Sequence, residues 1–142
     1  MISTAYADSS FFVSLYLADV HSRAAGELLS SGTRVWFTPL HYAECTHAIV
    51  QQVFFHNLQA AEAQKVYAAL VSDQSADLWL RAEIPVSAFE VCSDLARRYG
   101  PRLGVRTLDS LHVACALELN AERFWTFDER QAKLAKAVGL KG

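Results

Sequence analysis

Short apolar runs alternate with longer amphipathic ones along the chain. Residues 4–8 read as a first strand, Thr4-Ala5-Tyr6-Ala7 closing on Asp8. Ser9 or Ser10 then supplies a cap for a helix to about Leu17. Residues 22–31 form a second helix, with Gly32 as its stop. Arg34-Val35-Trp36-Phe37-Thr38 is the second strand, and Pro39 suits the first turn of a helix running to about His56. A further helix spans roughly 59–73, and Asp77-Leu78-Trp79-Leu80-Arg81 is the third strand. A helix over 87–99 is ended by Gly100-Pro101, another covers 108–119, a fourth strand covers 123–126, and the last helix covers 129–137. Strands joined by helices imply a parallel sheet covered on both faces, a three-layer α/β/α fold of four to five strands. Active sites in such sheets lie at the carboxyl ends of the strands.

A chain of 142 residues suits a single domain over 1–142, and an apolar fraction of 52% excludes disorder. No apolar run is long enough to cross a bilayer. The opening Met1-Ile2-Ser3-Thr4 lacks the basic and apolar segments of a secretion signal. Cys45, Cys92 and Cys115 are odd in number, far apart and inside expected helices. They argue against a disulfide framework and point to a reducing cytoplasm. A formal charge of −2 argues against nucleic-acid binding through net charge alone, though not against a local basic patch.

Four acids stand out by position. Asp8 ends the first strand, Glu44 lies in the first turns of the helix after Pro39, Asp109 opens a helix, and Asp128 follows Phe124-Trp125-Thr126-Phe127. Singly, each reads as a strand end or a favourable helix N-terminal acid. Gathered by the fold, they would crowd up to four negative charges into one cleft, which is unfavourable without a cation. Mg2+ or Mn2+ suits an all-oxygen donor set. Ser10, two residues after Asp8, and Thr126, two before Asp128, can orient carboxylates or water. Metal held this way supports phosphodiester hydrolysis without a protein nucleophile.

With these residues in place, the chain resembles a PIN domain, and within that family a VapC-type toxin ribonuclease. The likeness rests on Tyr6-Ala7-Asp8-Ser9-Ser10, Ala43-Glu44, Thr107-Leu108-Asp109-Ser110-Leu111-His112-Val113-Ala114 and Thr126-Phe127-Asp128, and covers essentially the whole length. The resemblance implies a sheet in the order 3-2-1-4-5 and Mg2+-dependent endoribonuclease activity on RNA, with tRNA or rRNA as the substrate class. It also implies a small cognate VapB-type antitoxin and a homodimer. Asp8, Glu44, Asp109 and Asp128 would be the metal-binding acids, with Ser10 and Thr126 as supporting hydroxyls. The family usually adds a final edge strand. The closing Val138-Gly139-Leu140-Lys141-Gly142 leaves room for a short one or none.

Arg97, Arg98, Arg102 and Arg106 fall in an acid-free stretch just before Asp109. Arg102 and Arg106 are the candidates for RNA phosphate contact, and Gly100, Pro101 and Gly104 suggest a mobile lip. The plain alternative is a solvated helix end. His41 and Cys45 have an i,i+4 spacing compatible with zinc, but no second cluster completes a tetrahedral set. His112 reads as a packed or hydrogen-bonded histidine. Residues 45–61 hold no Asp, Glu, Lys or Arg and include Val50, Val53, Phe54, Phe55 and Leu58, an apolar hairpin that suits core, dimer or antitoxin contact. Two other functions remain open from these residues. One is a metal-dependent phosphatase, against which Ser10 counts because it stands where an aspartyl-phosphate enzyme needs a second Asp. The other is a non-catalytic protein-binding module.

Overall fold

The computed structural model describes residues 3–142; Met1 and Ile2, part of the opening stretch read for a signal, lie outside the described residues. Four parallel strands form one sheet, β1 (Thr4–Ala7), β2 (Arg34–Phe37), β3 (Leu80–Arg81) and β4 (Arg123–Trp125), in the order β3-β2-β1-β4. β1 is central, pairing Tyr6 with Trp36 on one side and with Phe124 on the other.

Strand alternation divides the core in two. Ala5 and Ala7 face one cluster, and Tyr6 faces the other. The first cluster is closed by α1 (Ser9–Tyr16), α2 (Ser22–Leu29), α3 (Pro39–Phe54) and α4 (Ala60–Ser75), through Phe11, Phe12, Ala25, Ile49 and Leu70. The second is closed by α5 (Ser87–Leu103), α6 (Thr107–Glu118) and α7 (Glu129–Ala137). Ser110 through Ala116 are all buried, because this part of α6 lies between helices and sheet.

The expected order is observed for the four strands. The fifth shrinks to one parallel bridge between Arg123 and Lys141, with the Phe124 amide donating to the Lys141 carbonyl at 2.8 Å. The third strand is shorter than expected because Asp77 sits at φ 56° in the turn after α4, which delays extended backbone to Leu80. Gly100-Pro101 does not end its helix. α5 continues to Leu103 and stops at Gly104, which takes the left-handed conformation at φ 66°. Pro101 falls in the last turn, where the missing N–H forfeits one bond on an exposed face. The expected lip therefore narrows to the Gly104–Arg106 link before α6. The cap of α1 is Asp8 rather than a serine, and Ser9 and Ser10 send their hydroxyls elsewhere.

Candidate active site

Asp8 leaves β1 at the carboxyl edge of the sheet and starts α1. Its carboxylate accepts hydrogen bonds from Ser10 Oγ at 2.6 Å and from Thr126 Oγ1 at 3.3 Å. Burial raises its pKa, and these hydroxyls only partly offset that cost. Glu44 reaches the same edge from α3. The start of α3 is fixed by Thr38, whose hydroxyl caps the helix, and by Pro39 in the first turn. His41 completes the anchor. Its Nδ1 accepts from the Thr38 amide at 3.0 Å, and its Nε2 donates to the Ala7 carbonyl at 2.7 Å. The helix that carries Glu44 is thus bonded to the strand end that carries Asp8.

Glu44 Oε1 accepts from Ser9 Oγ at 2.7 Å and from His112 Nε2 at 2.5 Å. Burial alone would raise the Glu44 pKa. The hydrogen bond and charge of His112, with Ser9, outweigh it and hold the carboxyl below its ordinary value. Asp109 is the third residue of α6, and its Oδ2 accepts from the Arg106 amide at 3.1 Å and from Arg106 Nε at 3.2 Å. Asp8, Glu44 and Asp109 line one cleft of about 460 Å³, with Arg106 and His112 also on its walls.

Asp128 does not line that cleft. Its Oδ1 accepts from the Gln131 amide at 2.9 Å and caps α7. Thr126 links it to Asp8, because Thr126 Oγ1 accepts from the Asp128 amide at 3.0 Å. The single Thr126 hydroxyl hydrogen is shared between Gln131 Oε1 at 2.6 Å and Asp8 Oδ2 at 3.3 Å. The structure therefore gathers three expected acids in one cleft and ties the fourth to them through a hydroxyl. Among the described residues, no three His, Cys, Asp or Glu side chains are close enough together to hold one ion. The donor chemistry nonetheless suits a hard cation, since the cleft offers carboxylate oxygens and no thiolate.

Arg106 lies on the cleft wall and is exposed, whereas Arg102 is exposed and does not line it. Arg98 and Arg102 stand 5.7 and 5.8 Å from the centre of the Tyr99 ring. A zinc site at His41 and Cys45 is ruled out by bonding, because both His41 ring nitrogens are engaged and Cys45 is buried. Burial pushes the Cys45 thiol up to about 12, which disfavours its thiolate form. A larger cleft of about 740 Å³ beside the ends of β2 and β3 contains none of the four acids.

Gln131 was not singled out in the sequence. It is wholly buried, joins Thr126 to Asp128, and donates to the Asp109 carbonyl at 3.3 Å. The available signal was its place three residues after a capping Asp, the pattern of a capping box.

Sequence comparison matches the PIN domain over residues 5–137. The chain belongs to the PIN-domain family. Solved structures of three other proteins align along nearly the whole chain. The VapC20 structure from Mycobacterium tuberculosis, described as a sarcin-ricin loop cleaving toxin, has a TM-score of 0.72 at 13% identity over 97% of this chain and 98% of that one. FitAcB from Neisseria gonorrhoeae has a TM-score of 0.70 at 14% identity, covering 97% and 96%. VapBC2 from Rickettsia felis, bound to a DNA fragment from its promoter, has a TM-score of 0.64 at 13% identity, again covering 97% and 96%. At these identities the likeness concerns the PIN fold. Comparison with curated protein sequences finds no match.

Proposed function

We propose that this PIN-domain protein is a divalent-cation-dependent endoribonuclease, the toxin of a type II toxin–antitoxin pair. The observation that carries the reading is the meeting of Asp8, Glu44 and Asp109 in one cleft at the carboxyl edge of the sheet. Asp8 in particular is held by two hydroxyls rather than by a basic side chain. Such a carboxylate suits a cation better than it suits a vacant pocket.

Asp8, Glu44 and Asp109 would hold Mg2+ or Mn2+, with Asp128 tied to the site through Thr126, and the bound cation would polarise a phosphoryl oxygen and activate water. The other roles fall to the chain's own groups. Ser10 and Thr126 orient Asp8. Arg106 pairs with Asp109 through a side chain 78% exposed, so the pair is weak and the guanidinium is free to turn to an RNA phosphate. Arg102, 5.8 Å from the centre of the Tyr99 ring and exposed, offers a second phosphate contact.

Two solved neighbours support the biological setting, since VapC20 is described as cleaving the sarcin-ricin loop and VapBC2 is a complex seen on promoter DNA. By the same reading the substrate is tRNA or rRNA, and the partners are a small VapB-type antitoxin and a second copy of the chain. The hairpin of α3 and α4 leaves Val50, Phe54 and Phe55 exposed, apolar surface that a protein partner would cover. Among the described residues no helix is long and apolar enough to cross a membrane.

The test incubates antitoxin-free protein with tRNA and rRNA in Mg2+, in Mn2+ and in EDTA, beside Asp8→Asn. Discrete cleavage is expected only with cation, and at least about 100-fold less from the variant. Equal cleavage by Asp8→Asn would remove that residue from the site. Hydrolysis of phosphomonoesters with no action on RNA would replace the proposal with a phosphatase.

A further inference from the structure

Beneath Glu44 runs a polar chain whose two inner members, Tyr6 and His112, have no part in the proposed chemistry so far. Tyr6 is 0% exposed and His112 is 3% exposed. The Tyr6 hydroxyl meets His112 Nδ1 at 2.7 Å, and His112 Nε2 meets Glu44 Oε1 at 2.5 Å. Ser9 Oγ donates to the same Oε1 at 2.7 Å. Both bonds to the Glu44 carboxylate therefore fall on one oxygen, and Oε2 is left for the cleft.

The direction of the chain follows from donor chemistry. An ionised carboxylate only accepts, so His112 has to present Nε2–H to Glu44. In the neutral ring Nδ1 takes the phenolic hydrogen of Tyr6, whose pKa burial raises well above its ordinary value, and in the charged ring Nδ1–H donates to the Tyr6 oxygen; Nε2–H faces Glu44 either way. The three residues come from separate elements. Tyr6 is on the central strand, Glu44 is on α3 on one face of the sheet, and His112 is on α6 on the other. The imidazole thus bridges the two helical layers above the end of β1. The acceptor that satisfies this buried N–H is a carboxylate of the cleft itself.

We propose that His112, oriented by Tyr6, is a positioning residue for the cation site, pinning Glu44 Oε1 so that Oε2 alone is offered to a divalent cation. This rests on the cation-dependent reading above. Tyr6 acts through His112, and neither residue touches substrate. The competing account is a satisfied core histidine whose loss costs stability and nothing else.

The deciding measurement is Mn2+ titration by calorimetry on the purified full chain, with thermal melting run on each variant. His112→Leu keeps apolar bulk and removes both nitrogens. His112→Gln keeps an N–H that can face Glu44. Tyr6→Phe removes only the hydroxyl that orients the ring. His112→Leu is expected to weaken Mn2+ binding about 10–100-fold, His112→Gln to recover to within about threefold of wild type, and Tyr6→Phe to fall between them. Affinity should follow this donor series, whatever the order of melting temperatures. Wild-type Mn2+ affinity in His112→Leu, with a lowered melting temperature, would leave His112 a core residue and overturn the inference alone. If His112→Leu does not fold, wild-type affinity in Tyr6→Phe overturns it instead. A wild-type chain that binds no Mn2+ and cleaves no RNA in any cation fails the cation-dependent reading itself, and the positioning role falls with it.

Discussion

Asp8 carries a conflict that a single substitution can expose. Its carboxyl is partly buried and its pKa is raised, chiefly by desolvation. A group whose folded pKa exceeds its unfolded value binds more protons when folded, so it costs stability above that range and stops doing so as pH falls. Asp8→Asn is therefore expected to stabilise the cation-free protein by about 1 kcal/mol at pH 7 and to give little gain near pH 3, read from urea midpoints at each pH. Loss of RNA cleavage together with increased stability would mark a residue kept for chemistry. His41 has the opposite sign. Burial drives its pKa down to about 3, so the unfolded chain takes up the proton first as pH falls below about 6.5. Stability should fall by roughly 1.4 kcal/mol per pH unit between those values, and His41→Asn should flatten that slope. The positions of Asp8, Asp109 and Asp128 were legible in the sequence because each stands at an element end, and Glu44 because it lies in the first turns of α3. The bonds to His112 and Gln131 were not, because their partners lie far away or depend on which helix face meets the sheet. Glu44 and His112 are 68 residues apart, and no local pattern announces such a pair.

At the scale of elements, apolar periodicity located every strand and helix among the described residues, and the errors were errors of punctuation. Gly100-Pro101 has the composition of a stop, yet the stop is Gly104. A proline in the last turn loses one bond, whereas a left-handed residue changes the direction of the chain. The Gly104 amide donates to the Gly100 carbonyl at 2.8 Å, closing the helix at φ 66°. Space is not the constraint there, since a Cβ on Gly104 would meet nothing within 4 Å. Gly104→Ala should therefore cost about 1 kcal/mol through backbone conformation alone, seen as a lower melting temperature. Because Gly104 sets the short link that delivers Arg106 and Asp109 to the cleft, the variant should also lose RNA cleavage beyond what its folded fraction explains. Asp77 made the third strand short for a related reason, since a positive φ can be occupied by Asp and is invisible to hydropathy.

The whole molecule has 13 basic and 15 acidic side chains, so its net field does not draw a polyanion in. Three carboxylates in the cleft oppose RNA directly. Of the arginines nearby, Arg98 is bonded to Asp94 at the surface and Arg106 to the largely buried Asp109. Binding should therefore depend first on cation and only second on arginine. In EDTA, RNA affinity should be weak at any salt concentration. With Ca2+ in place of Mg2+ to limit turnover, affinity should rise, and log K should fall with log salt at a slope of about −2 to −3, the value for three or four phosphate contacts on single-stranded RNA. Arg102→Ala should reduce that slope by about 0.7 and leave Mn2+ affinity unchanged, because Arg102 does not line the cleft. A slope near zero would mean that the arginine stretch is only a solvated helix end. A steep slope that persists in EDTA would place RNA on a surface away from the acids, and the cleft would then be the wrong place to look for cleavage.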